Sequence, residues 1–213
     1  MHCLIVKAHP LSESLCAAMT RRVAKTLEAQ GHMVTVEDLY AEGFDAAMTP
    51  QERASYYEGQ YAADAVSLQV QRLLAAEAIV LVFPTWWFGF PAVLKGWFDR
   101  VWGPGVAYDH ADGYGPIKPR LHNLREMLVA TSLGAPWWVD RILLRQPVRR
   151  ILKTAIVGTC APQCRLQMVS VYKSEALTPV QVDHFWRRVQ RALSRWHDAT
   201  ERSRTTTSVP LDL

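Results

Sequence analysis

The sequence predicts an α/β domain: a doubly wound, five-stranded parallel sheet with helices on both faces. Three observations lead there. Strand-sized apolar runs alternate with helix-patterned segments along the chain. The runs Leu4-Ile5-Val6 and Ala78 to Phe83 are apolar without alternation, as strands buried on both faces must be. The turns at 8–16, 83–90 and 131–136 are the most unusual in the chain. In such a sheet all three fall at strand carboxyl ends, where ligands bind.

The elements follow in order. Leu4 to Val6 is the first strand, ended by the turn Lys7-Ala8-His9-Pro10. Ser12 and Ser14 are candidate N-caps for a helix with Leu15, Met19, Val23 and Leu27 on one face and Gly31 as its stop. Met33 to Asp38 is the second strand. Residues 39–64 are polar and carry the cluster Tyr56, Tyr57 and Tyr61; a connection this long is expected to be functional or to hold short helices. Ser67 to Ala76 is helical and Ala78 to Phe83 is the third strand. Pro91 opens a helix whose apolar stripe is Val93, Leu94, Trp97, Phe98 and Val101. Gly103 to Pro119 is a glycine- and proline-rich loop. Met127 to Thr131 is the fourth strand, Trp137 to Thr159 a helix broken near Pro147, and Leu166 to Val171 the fifth strand. Thr178-Pro179 opens a last helix with Trp186, Val189, Leu193 and Trp196 on one face. One domain is expected over 1–198, with 199–213 a polar tail.

Composition narrows the function. The chain has 213 residues and a net charge of +4, too weakly basic to indicate nucleic acid. Its apolar runs are short of a membrane span, and no basic leader precedes the first strand, so a cytoplasmic location without membrane insertion is expected. The 4 cysteines lack C-x-x-C spacing and are expected to be reduced structural thiols; no metal site is expected. The 8 tryptophans are many for this length and suit a large flat ligand or an interface.

The first turn sets hydroxyls and free N–H groups at a helix N-terminus, which suits a phosphate; capping alone is the competing reading. His9 either adds a contact to that phosphate or is an ordinary turn histidine. Without G-x-G-x-x-G or a Walker lysine, neither a dinucleotide fingerprint nor a triphosphate loop is present. The second turn offers backbone amides between Pro84, Trp86, Trp87 and Phe88, the combination an isoalloxazine ring needs; a core or interface role for at least one of Trp86 and Trp87 is the competing reading. The third, Thr131-Ser132-Leu133-Gly134, can direct amides at the pyrimidine edge of such a ring, or simply join strand to helix. Tyr108 and His110 lie in a loop able to cover the pocket, or are surface residues. Arg145, Arg149, Arg150 and Lys153 form a basic face. No G-x-S-x-G motif is present.

These residues carry a resemblance. Ala8-His9-Pro10 with Ser14, F-P-T-W-W-F-G-F-P-A-V-L-K-G-W-F-D-R-V at 83–101, A-Y-D-H at 107–110 and A-T-S-L-G at 130–134 resemble the quinone-reductase-type NAD(P)H dehydrogenases of flavodoxin-like fold. The likeness is collinear from about residue 3 to 196 and strongest at 83–101. It implies FAD, with FMN as the alternative, hydride transfer from NAD(P)H through flavin to a quinone, and a homodimer with the pocket at the subunit interface. It places His9, Ser14, Leu15 and Cys16 at the flavin phosphates. Pro84, Thr85, Trp86, Trp87 and Phe88 stand at the ring, Thr131, Ser132, Leu133 and Gly134 at the family's Thr-Thr-Gly-Gly turn, and Tyr108 and His110 at the quinone or nicotinamide. Leu133 replaces a glycine of that pattern. The histidine that follows Gly134 in better-known members has no counterpart in Pro136-Trp137-Trp138-Val139, so Tyr108, His110 or water is left to deliver protons. Two other readings belong to the same resemblance: a redox-sensing regulatory subunit of a membrane transporter, and an electron carrier, which the positive charge opposes.

Overall fold

The computed structural model describes residues 1–111 and 115–207, with the backbone alone from residue 197 onward. Five strands form one parallel sheet: β1 (His2–Lys7), β2 (Met33–Asp38), β3 (Ala78–Pro84), β4 (Glu126–Leu133) and β5 (Arg165–Tyr172). Their spatial order is β2-β1-β3-β4-β5, with β1 between β2 and β3. The expected doubly wound sheet is therefore present.

The continuous apolar runs are explained by burial on both faces. Leu4, Val6, Ile79, Leu81, Phe83, Met127 and Val129 enter one cluster, which is closed by α2 (Ser67–Ala75), α3 (Ala92–Val101) and the 148–161 region. Cys3, Ile5, Ala78, Val80, Val82, Leu128 and Ala130 enter the other, closed by α1 (Leu15–Ala29) and α4 (Pro179–Thr207). Adjacent residues of one strand go to opposite clusters, as a period of two demands.

Three departures from expectation have physical causes. β4 runs from Glu126 to Leu133, beyond the expected end at Thr131, because Ser132 and Leu133 keep pairing with Val171 and Tyr172 of β5. The expected helix over 137–159 is a chain of short pieces. Val139–Leu143 and Ile151–Ile156 are π-helical, and Arg145 and Gln146 are left-handed just before Pro147. Proline disfavours the right-handed α conformation for the residue before it, which breaks the helix at Gln146. α4 continues to Thr207, into the expected polar tail. Residues 112–114 of the glycine-rich loop and 208–213 of the tail lie outside the described residues.

The 39–64 excursion is clasped to α3. The buried guanidinium of Arg100 donates to both carboxylate oxygens of Glu52, at 2.7 and 3.1 Å, and to the carbonyl of Asp45. Burial alone would raise the Glu52 carboxyl; hydrogen bonds from Arg100 and the Thr49 amide outweigh it and hold the group below the usual carboxylate range. Gly96 is required there by space: a Cβ would stand 2.2 Å from the Ala46 carbonyl oxygen. Among the described residues no helix is long and apolar enough to cross a membrane.

Candidate active site at the carboxyl ends of the strands

Parallel strands deliver their exits to one edge of the sheet, and hydrogen bonds fasten those exits together. The Ala8 amide donates to the Val82 carbonyl at 3.0 Å, and the Thr85 amide to the Ser132 carbonyl at 2.8 Å. The hydroxyls of Thr85 and Thr131 lie 2.8 Å apart, and the His9 and Trp86 rings are 6.5 Å apart. The three expected turns do converge.

The first turn leaves backbone donors at a helix N-terminus, an arrangement that suits an anion. The Ser14 hydroxyl accepts from the Ala17 amide at 3.1 Å, so Ser14 is the N-cap. His9 Nδ1 accepts from the Leu11 amide at 3.1 Å, which rigidifies the loop. The next amides, of Leu15 and Cys16, have no hydrogen-bond acceptor among the described residues. No acidic side chain occupies the first turn of α1; the nearest, Glu13, precedes the cap. The Cys16 thiol is buried, and burial pushes its pKa up to about 12 against a smaller opposing effect of Lys7. It is a neutral thiol there.

The second turn is strained. Trp87 and Phe88 have φ of 50° and 57°, and Gly89 donates its amide back to the Trp86 carbonyl at 2.9 Å. Two consecutive left-handed residues in a tight turn are the place for Asn-Gly, not for two aromatics. Left-handed L-residues cost about 1–2 kcal/mol each. Nothing within the chain compensates at Trp87, whose side chain is 101% exposed. Trp86 and Gly89 pair as an antiparallel bridge, and the amides of Trp87 and Phe88 between them have no acceptor among the described residues. Strain of this kind collects at ligand clamps.

The third turn starts later than expected. Thr131, Ser132 and Leu133 are buried strand residues, with Thr131 and Ser132 paired to β3 and β5 alike, so their amides belong to the ladder. The free amides are those of Gly134 and Ala135. Thr85, Trp86, Trp87, Phe88, Leu133 and Gly134 line one open cleft of about 330 Å³. That volume suits a flat ring system. Pro84 ends β3 beneath it, and Leu15 and Cys16 face Thr131 and Ser132 at a narrower gap beside α1.

Tyr108 and His110 are elsewhere. They follow the far end of α3, whose 10 residues separate them from the aromatic turn by ~15 Å along the helix. They do not cover the cleft within one chain. His110 packs on Tyr57 at 4.8 Å between ring centres, its Nε2 lies 3.2 Å from the Tyr56 carbonyl, and Tyr108 meets it edge-on at 5.4 Å. Tyr56, Tyr57, Tyr61 and His110 line a second pocket of about 250 Å³. Burial holds the Tyr108 and Tyr61 phenols well above their ordinary pKa, so both are neutral. One cleft residue, Glu175, was not expected from the sequence and enters from the exit of β5.

A profile of the family described as "Flavodoxin-like fold" matches residues 1–196. The rat protein named NAD(P)H dehydrogenase [quinone] 1 is 29% identical over 211 residues, covering 82% of this chain and 76% of its own. An Escherichia coli protein named as an uncharacterized NAD(P)H oxidoreductase is 37% identical over 112 residues, 52% of this chain and 56% of its own. The matched part thus spans little more than half of that relative. Among solved structures, the NAD(P)H:quinone oxidoreductase from Methanothermobacter marburgensis superposes with a TM-score of 0.76 at 23% identity, over 90% of this chain and 96% of its own. An FMN-dependent NADH-azoreductase from Bacillus anthracis, in complex with FMN, gives 0.71 at 20% identity, over 92% and 100%. At these identities the two structures speak for the fold.

Proposed function

From the premise that this chain belongs to the flavodoxin-like family of quinone-reductase type, we propose that it is a flavin-dependent NAD(P)H oxidoreductase acting on quinones or similar acceptors. The observation that carries this is the strained turn: two left-handed aromatics hold an exposed indole and two free amides against one cleft. In a molecule without a ligand for that cleft, the strain has no compensation.

The residues fit a flavin. The indole of Trp87 and the ring of Phe88 supply apolar walls, and the amides of Trp87 and Phe88, with those of Gly134 and Ala135, supply donors for ring carbonyls. Leu15 and Cys16 amides at the positive end of α1 hold a phosphate, with Ser14 fixing the helix start and His9 bracing the loop. When bound, the flavin supplies two-electron chemistry between NAD(P)H and a quinone. The chain's part is to stack both reactants on one face, to keep bulk water off it and to offer donors where negative charge develops. FAD is the proposed form. FMN is the second reading, favoured by the tyrosine pocket, a place for an adenine, sharing no lining residue with the ring cleft.

The same separation supports a homodimer. Tyr108 and His110 do not line the cleft of their own chain, and a second copy would bring them over it. Trp137, Trp138, Ile142, Leu143 and Ile151 are exposed beside the cleft exit and would be covered in such a pair. A cytoplasmic location is proposed with it.

The test is reconstitution. Purified protein is incubated with FAD or FMN, desalted and its spectrum recorded; bound flavin is released and its mass determined. NADH or NADPH oxidation with menadione follows. Absence of flavin binding would overturn the proposal. Flavin binding without turnover on any quinone, together with a membrane transporter as copurifying partner, would transfer the protein to the regulatory reading.

A further inference from the structure

The exit of β5 contributes a side chain to the cleft that no part of the reading above employs. β5 ends at Tyr172, and Lys173 then takes a left-handed conformation, φ 55°. Its amide donates to the Ala135 carbonyl at 3.4 Å. This kink starts a single helical turn, Ser174–Ala176, closed by the Ala176 amide on the Lys173 carbonyl at 3.2 Å. The turn lays Glu175 against the cleft, beside Gly134 and Ala135 and across from Trp86 to Phe88.

Gly134 makes room for it. A Cβ at this position would stand 3.2 Å from Glu175 Oε1. Gly134 is not among the residues with positive φ, so its backbone does not require glycine. What favours glycine is the carboxylate lying on top of it, which a Cβ would crowd. A strained residue before the turn and a missing side chain beneath it thus serve the same end, a carboxylate oxygen in the cleft.

The chemistry of the lining singles that oxygen out. Thr85, Trp86, Trp87, Phe88, Leu133, Gly134 and Ala135 carry no charge, and the free backbone groups noted above are N–H donors. The Thr85 hydroxyl is engaged with Thr131. Glu175 is the charged acceptor in a cleft of donors. The pyrimidine edge of an isoalloxazine has the complementary pattern: two carbonyl acceptors on either side of one N–H donor, N3–H. Resting on the flavin reading, we propose that the Glu175 carboxylate accepts the N3–H of the bound ring and so fixes its orientation in the cleft. The amides of the two turns take the flanking carbonyls. Glu175 is in this sense a positioning and specificity residue.

The measurement is equilibrium binding by flavin fluorescence, with FMN and with FMN methylated at N3, for the native sequence, Glu175→Ala, Glu175→Gln and Gly134→Ala. Glu175 is exposed at a surface turn, so its replacement is compatible with folding, which circular dichroism checks. A hydrogen bond to a charged group contributes ~1.5–3 kcal/mol, or about ten- to a hundredfold in affinity. The native protein should therefore bind the methylated flavin at least tenfold more weakly than FMN. Glu175→Ala should bind both alike, at the weaker level. Glu175→Gln, which keeps an acceptor, should retain part of the discrimination. Gly134→Ala should reduce it with Glu175 intact, because the added methyl crowds the carboxylate oxygen. If native protein binds FMN but Glu175→Ala keeps the full methyl penalty, the assignment of Glu175 is wrong and the flavin reading stands. If native protein binds neither flavin, both fall.

Discussion

Replacing Trp87 by glycine should stabilise the flavin-free protein while weakening its hold on flavin. The left-handed conformation at φ 50° costs an L-residue about 1–2 kcal/mol. The indole is fully exposed, so removing it forfeits no burial within the chain. Against this, glycine loosens the unfolded chain by about 0.4–1 kcal/mol. The net gain is about 0.5–1 kcal/mol, and for a domain of this size each kcal/mol shifts Tm by ~2–4 °C. A rise of about 1–4 °C in the flavin-free protein is expected by differential scanning fluorimetry. Flavin affinity should fall at least about tenfold, because an aromatic face against the ring is lost. Trp87→Phe is the control: strain and aromatic face both remain, so neither quantity should move much. A lower Tm for Trp87→Gly in the absence of flavin would refute the idea that this turn is strained for a ligand. Unchanged flavin affinity would show that the indole serves an interface instead.

Gly96→Ala drives a methyl into the Ala46 carbonyl and should cost ~1–3 kcal/mol, seen as a lower urea midpoint with unchanged slope. Glu52→Gln leaves the buried Arg100 without its carboxylate, a loss of ~3–5 kcal/mol at neutral pH. Because the folded Glu52 carboxyl is held below its ordinary value of 4.5, its contribution is present above that value and lost as pH falls through the folded pKa; the gap between Glu52→Gln and native protein in urea titrations should close accordingly. Ser14→Ala removes the cap of α1, costing ~1 kcal/mol, and should weaken FMN binding more than binding of riboflavin, which has no phosphate. Equal losses for both would put the phosphate elsewhere.

The sheet was legible because burial on both faces leaves an unbroken apolar run, as at Ala78 to Phe83, and its boundaries need no tertiary knowledge. The end of β4 was not, because Thr131 and Ser132 look like turn residues until Val171 and Tyr172 stand beside them to be paired. The aromatic turn was legible as a site from its residue types, but its left-handed geometry was hidden: no glycine occupies Trp87 or Phe88 to announce it. Tyr108 and His110 could be picked out by resemblance, while their distance from the cleft follows only from the direction in which α3 runs. Glu175 was missed although one rule reaches it. Every parallel strand ends at the same edge, so the exit of β5 belonged with the three turns that were considered.

The length of α3 has a consequence for heredity as well as for geometry. It gives each chain a cleft at one end and a tyrosine–histidine pocket at the other. On the proposed paired arrangement, these are halves of two different sites. A subunit damaged at Trp87 and another damaged at His110 would each be inactive when paired with its own kind. Mixed together they would form some hybrid pairs in which the undamaged cleft meets the undamaged pocket, and one of the two sites would work. Two harmful alleles would then complement each other, and a single harmful allele would be partly masked in a cell that also makes the intact chain.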